Sequence, residues 1–240
     1  AVMVRKPSDL GYDDGAYDLP DLNLHTLTVQ HEAPREDGML FAMSARTLAD
    51  QRKVRRNSIE ARCEAAARLV AAEPDEQWLI WCELNDESAE LTECVIGAVE
   101  VAGTTAEDER KAAMLGFASG DVRALVTKPK IAGFGMNWQS CARMIFVSPT
   151  HSYEQWYQAV RRCWRFGQAR PVHVWMMQTS ADGAVTRNLQ RKARRADEMA
   201  AEMAAMVRDH QMMALRGARP GAVDDHNMRM EVPSWIASTK

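Results

Sequence analysis

The chain has 240 residues, 46% hydrophobic and 26% charged, with a formal net charge of -3 and a pI near 6.1. That is enough chain for one substantial core, or one core plus an appendage, and the overall charge does not advertise a polyanionic partner. Five scattered cysteines with no Cys-x-x-Cys pair argue against a disulfide framework and a zinc site; with no apolar run near ~20 residues and no signal peptide, a cytoplasmic protein without a membrane partner is expected.

Val2 to Arg5 reads as a short strand, and because the chain opens on Ala1 inside it, the sequence is expected to be cut from something longer. A Gly/Asp/Pro-rich loop runs from Lys6 to Asp21, and Leu24 to His31 alternates as a second strand would. Residues 40–72 read as helical, with apolar Leu48, Ile59, Leu69 and Val70, and Pro74 closes the element. From Gln77 the rhythm changes to strand-helix alternation. Trp78 to Cys82 is an apolar run of the kind buried in a parallel sheet, Asp86 to Cys94 a helix, and Val95 to Val101 a strand ending at Gly103. Thr105 is the expected N-cap of a helix with Glu107, Asp108 and Glu109 in its first turn, ending near Ser119-Gly120. Val122 to Thr127, Arg143 to Val147 and Pro171 to Met177 complete the strands, and Ser152 caps the helix between the last two. Such alternation predicts a parallel α/β sheet with right-handed crossovers. Residues 184–214 predict a long helix whose Met199, Met203, Met206 and Met213 stripe is expected to pack on a core. The expected division is a strand, loop and helical linker over 1–75, the α/β domain over 76–180, and a C-terminal helix with a polar tail over 181–240.

The chemistry concentrates between Gln158 and Gln168. Gln158, Arg162 and Arg165 fall at i, i+4 and i+7, so a continuous helix would place them on one face. Two guanidiniums and an amide aimed together form a fork for phosphate or carboxylate; the same spacing also fits an exposed basic helix held by surface ion pairs. Gly167 is expected to stop the helix. Basic residues cluster at Arg52–Arg56, read as a solvated helix face, and at Arg123–Lys130, Arg161–Arg170 and Arg187–Arg195. In an open α/β sheet, ligands bind beyond the carboxyl ends of the strands, where the loop after Thr127, the loop after Val147 and the turn at Gly103 fall. Glycines in Ala132-Gly133-Phe134-Gly135 would let backbone N–H groups approach a phosphate, although such a run is also an ordinary turn. No Gly-x-x-x-x-Gly-Lys-Ser/Thr loop occurs. Trp156, Tyr157 and Trp164 are read as core or interface packing, and His151 and His173 as non-catalytic.

Gln158-Ala159, Arg162, Arg165 and Gly167-Gln168 resemble the final Gln-Ala-x-x-Arg-x-x-Arg-x-Gly-Gln motif of the Snf-type branch of superfamily-two helicases and translocases. Thr127 to Gln139 is similar to the preceding motif of that family, Gln77 to Asn85 to the first strand of its second lobe, and Gly103, Arg110 and Phe117 to its Gly…Arg…Phe signature. The form seen here, with Trp156, Tyr157 and Trp164, is most similar to helicases carried by phages and prophages.

The resemblance implies a RecA-like three-layer domain, the second motor lobe of an enzyme that binds ATP with Mg2+ between two lobes. It implies Arg165 as arginine finger, Arg162 in support and Gln158 positioning both. It further implies Gly133, Gly135 and Asn137 at the nucleotide, and Thr127, Lys128, Lys130 and Gly103 toward nucleic acid, duplex DNA being the expected partner. Lys128-Pro129-Lys130 departs from the commoner Arg-Ala-Gly-type run there. The implied partner within the polypeptide is an N-terminal RecA-like lobe carrying the phosphate loop and the Asp-Glu pair. Neither is found in this chain, so the chain alone is expected not to hydrolyse ATP appreciably. The motor reading would fail if both guanidiniums were tucked into acidic pockets well away from the sheet's carboxyl rim. The alternative is a non-catalytic nucleic-acid or partner-binding module that keeps the helicase fold.

Overall fold

The computed structural model describes residues 19–30, 56–132, 136–148, 152–179, 182, 187–188, 191–196, 198–203 and 205–206. The Val2–Arg5 strand, most of the Lys6–Asp21 loop, Leu48, most of the Arg52–Arg56 cluster, Gly133, Gly135, His151, Met213 and the tail from Gly217 lie outside them. Among the described residues no helix is long and apolar enough to cross a membrane.

Six parallel strands form one sheet in the order β1-β6-β5-β2-β4-β3. They are β1 (Leu22–Thr28), β2 (Trp78–Trp81), β3 (Ala98–Val101), β4 (Ala124–Thr127), β5 (Arg143–Phe146) and β6 (Val172–Gln178). The helices are α1 (Ile59–Ala72), α2 (Asn85–Cys94), α3 (Glu107–Ser119), the single turn α4 (Pro129–Ala132) and α5 (Tyr153–Val160). This is a three-layer α/β fold with a parallel sheet, as the strand-helix alternation predicts. Residues 16–196 form one compact unit that holds the whole sheet. Residues 1–15 and 197–240 form another, whose described positions, 198–203 and 205–206, are helical. The expected division at residue 75 falls inside the sheet unit, because β1 pairs with β6 and α1 packs beneath the sheet.

Strand β2 shows why the sheet is three-layered. All four of its residues are buried, and a period of two sends them alternately to the two faces. Trp78 and Ile80 join Cys63, Ala66 and Val70 of α1 and Leu91 of α2 in one core. Leu79 and Trp81 join Phe117 of α3 and Trp156, Ala159 and Val160 of α5 in the other. Phe117 meets Trp138 edge-on at 5.4 Å, an arrangement worth about 0.5–1.5 kcal/mol beyond the area it buries. Cys82 and Cys141 lie in the core as small buried groups, and the expected core role of Trp156 is met. Burial, above all, pushes the Cys82 thiol up to about 12, so it behaves as a small apolar group.

Local chemistry sets the element ends. Gly120 closes α3 at φ 95°, and Ser152 Oγ accepts from Gln155 N at 3.3 Å to cap α5. Thr105, expected as an N-cap, instead accepts from Ala102 N at 2.9 Å, and Ala106 begins α3. The strand expected from Val95 starts at Ala98, after Gly97 turns the chain at φ 75°. Of the methionine stripe, Met199 and Met206 are 62% and 70% exposed, and Met203 is half-buried.

One polar knot was invisible in the sequence. Arg62 of α1 and Glu87 of α2 form a fully buried ion pair, Nη2 to Oε1 at 3.0 Å. Arg62 also donates to the Val147 carbonyl at 3.0 Å and to Ser148 Oγ, and Ser148 Oγ donates to Glu87 Oε1. Glu87 Oε2 accepts from the amides of Glu83 and Leu84 at 3.0 and 3.1 Å, which closes the first turn of α2. Every charge in the knot is therefore answered, as burial demands.

Candidate functional site

Helix α5 leaves the carboxyl end of β5 and returns antiparallel to the strands, so the segment after it lies at their amino ends. Trp164 Nε1 donates to the Pro20 carbonyl just before β1, at 2.7 Å. Gln168 Nε2 donates to the Cys141 carbonyl just before β5, at 2.9 Å. The expected helix through Gly167 is corrected here. The α-helix ends at Val160, and residues 161–167 form successive turns. The Arg162 and Cys163 amides reach back only three residues, to Ala159 and Val160, and the Arg162 carbonyl accepts from Trp138 N at 2.9 Å. That tertiary bond takes a carbonyl that a continuing helix would use.

The turns still bring the expected side chains together. Gln158, Arg162 and Arg165 line one open cavity of about 320 Å³, with Tyr157, Arg161 and Phe166. Among the described residues no acidic side chain lines it. One half of the failing condition is nevertheless met, since the guanidiniums sit away from the carboxyl rim, because the direction of α5 carries them to the other end of the sheet. Arg165 Nη1 donates to Asn137 Oδ1, and Arg165 Nε is buried with no hydrogen-bond partner among the described residues. Arg162 Nη1 donates to the Met136 carbonyl at 3.3 Å. Burial, and then the Arg165 charge beside it, lower the Arg162 pKa from its ordinary value. An anion entering the cavity would offset both costs. Gln158 Nε2 donates to Glu154 Oε1 at 3.2 Å, so its amide is held on the exposed flank of α5.

Gly167 and Gln168 build the turn. Gly167 has φ 91°, and a Cβ there would come within 3.2 Å of Gln139 Nε2. Gln168 is buried, and its amide ties the Cys141 and Cys163 carbonyls while its oxygen accepts from Arg170 N. Gly167→Ala is expected to cost about 1–2 kcal/mol, read as a lowered urea midpoint. Gly103→Ala, at a position without positive φ and with nothing within 4 Å of the added methyl, is the matched control and should leave the midpoint unchanged.

The residues expected near nucleic acid lie at the opposite, carboxyl end of the strands. Thr127 is buried, and its hydroxyl donates to the Val101 carbonyl at 2.9 Å, so that group is already engaged within the sheet. Lys128 Nζ donates to Asn85 Oδ1, and Lys130 is exposed on α4. Gly103 is exposed, and Arg110 Nη2 grips its carbonyl at 3.4 Å and that of Thr105 at 3.0 Å. Phe117 is in the core, so the Gly…Arg…Phe pattern folds the turn after β3. Of the aromatics, Trp156 is buried, and Tyr157 and Trp164 pack partly against the same core. His173 Nδ1 lies 2.9 Å from His25 Nε2 on the neighbouring strand. Arg161 and Phe166 are the cavity residues to which sequence reasoning gave no individual role.

Residues 61–167, from α1 to the glycine of the turn, match the family described as helicase conserved C-terminal domain. No curated protein matches the chain. Among solved structures, the crystal structure of the C-terminal part of the Fun30 ATPase domain is similar, with a TM-score of 0.49 and 17% identity. That alignment covers 63% of this chain and 54% of the other. The family match supports a C-terminal RecA-like lobe of a superfamily-two helicase, a motor lobe of the helicase and translocase class.

Proposed function

We propose that this chain is the second motor lobe of an ATP-dependent DNA helicase or translocase of the Snf type, in a phage or prophage form. The observation that carries the reading is the cavity in which Gln158, Arg162 and Arg165 meet, inside the segment that matches the helicase C-terminal domain. The residues fit the phosphate end of a nucleotide: two guanidiniums face one space, and a buried Arg165 donor has no partner among the described residues. ATP with Mg2+ would supply the phosphoryl group that is hydrolysed, held mainly by an N-terminal RecA-like lobe. Arg165 would face the developing charge as the arginine finger, with Asn137 fixing its fork. Arg162 would support it, and Gln158 would order the rim. Gly133, Gly135 and Asn137 form the proposed nucleotide loop.

The track would run at the other end of the sheet, over Gly103, Lys128 and Lys130, with Thr127 shaping the strand end rather than offering its hydroxyl. Replacing both lysines with alanine is expected to weaken duplex binding across all sequences. Each lost phosphate contact should also reduce the slope of log affinity against log salt by about 0.9. Fluorescence anisotropy over a salt series measures both. The whole reading is tested by ATP hydrolysis in the two-lobed protein with and without duplex DNA. DNA-stimulated hydrolysis supports a motor; a folded two-lobed protein that binds DNA without hydrolysing ATP supports the non-catalytic module.

A further inference from the structure

Arg161 lines the cavity beside Arg162 and Arg165, and it is held there by a device of its own. Its Cζ lies 5.4 Å from the centroid of the Trp164 ring, within the range of a cation–π contact. Trp164 cannot swing freely, because its Nε1 donates to the Pro20 carbonyl at 2.7 Å. The backbone at Pro20 is fixed in turn, since the next carbonyl, of Asp21, accepts from Val172 N at 2.8 Å as β1 joins β6. A long side chain that would otherwise sample many rotamers is thus pre-set on the cavity wall.

The charge balance points the same way. Among the described residues neither Arg161 nor Arg165 has a carboxylate partner. Arg162 already suffers from burial and from the Arg165 charge. A third guanidinium on the same cavity wall offers more donors than the oxygens of one phosphate, already served by two forks, can pair with. Resting on the nucleotide reading above, we infer that Arg161 is a third anion-binding residue, positioned by Trp164 and Pro20, and that the cavity takes a polyphosphate chain rather than a single phosphate.

The test uses the whole 240-residue chain and arginine side-chain NMR, titrated separately with inorganic phosphate, pyrophosphate, ADP and a short single-stranded oligonucleotide. Pyrophosphate and ADP are expected to shift the Nε–Hε signals of Arg161, Arg162 and Arg165 together, whereas phosphate moves chiefly the last two. Arg161→Ala should weaken pyrophosphate binding about tenfold, the loss of one charge-assisted contact, with little effect on phosphate. Trp164→Leu should remove the ring-current displacement of the Arg161 side-chain protons and weaken pyrophosphate to the same degree. Trp164→Phe keeps a ring and should retain part of both, a graded response that a purely structural role would not produce. Pyrophosphate shifts at Arg162 and Arg165 with unchanged affinity in Arg161→Ala would overturn the inference and leave the nucleotide reading standing. No response of any cavity arginine to pyrophosphate or ADP would overturn the inference, whereas the nucleotide reading, which places ATP mainly on the other lobe, is judged by hydrolysis in the two-lobed protein. Preferential response of Arg161 to the oligonucleotide would overturn the polyphosphate assignment.

Discussion

Arg165→Ala, made in the two-lobed protein, is expected to lower ATP hydrolysis by about 10³–10⁵-fold, the scale associated with an arginine on a transferring phosphoryl group. The side chain is well placed for so large an effect. Its Nη1 is anchored on Asn137, its Nε is buried without a partner among the described residues, and a like charge at Arg162 lines the same cavity. Removing it relieves repulsion and leaves no buried charge stranded, so thermal stability should be unchanged or slightly raised. Steady-state hydrolysis and a melting curve on the same sample separate the two effects. Arg165→Lys keeps the charge but loses the planar fork, and should recover only a small part of the rate. Near-normal hydrolysis in a folded Arg165→Ala protein would remove the finger role.

The second large effect is structural. Arg62→Ala should destabilise the fold by about 3–5 kcal/mol, because it leaves Glu87 ionised, dry and short of its principal partner. Glu87→Ala should cost about as much for the reciprocal reason, and also strips two amides at the start of α2 of their acceptor. Replacing both residues together with apolar ones of similar size should cost far less than either single change, since no lone charge then remains. Urea denaturation of the two single variants and the double variant measures the coupling. If the single losses simply add in the double variant, the pair is not the energetic unit described here.

Much of the fold was legible because buried parallel strands announce themselves. Trp78–Trp81, Ala124–Thr127 and Arg143–Phe146 read as short apolar runs between helices, and their positions held to within a few residues. Gly120 and Gly167 were legible for the same kind of reason, since each occupies backbone space that side chains avoid. The end of α5 was not, because the bond that diverts it comes from Trp138, distant in sequence. The burial of the Thr127 hydroxyl depends on the β3–β4 register, which no local pattern encodes. Arg62 and Glu87 sit on helices whose other charged residues are exposed or half-buried, so periodicity alone marks them as surface. At the candidate site, the sequence carried the identities of Gln158, Arg162 and Arg165, and the resemblance supplied their proposed roles. Arg161 went unassigned because its place depends on a tryptophan ring and a proline carbonyl far away in the chain.

The outermost strand carries a consequence for how the protein comes into being. Among the described residues β1 pairs only with β6, and the partners stand 150 residues apart. On a ribosome, the early strand must therefore wait, unpaired, until nearly the whole sheet has been synthesised. Such distant closure is slow compared with the nearer pairings at the centre of the sheet. The Trp164–Pro20 bond can form only at that final step, so the anion cavity would be completed among the last events of maturation.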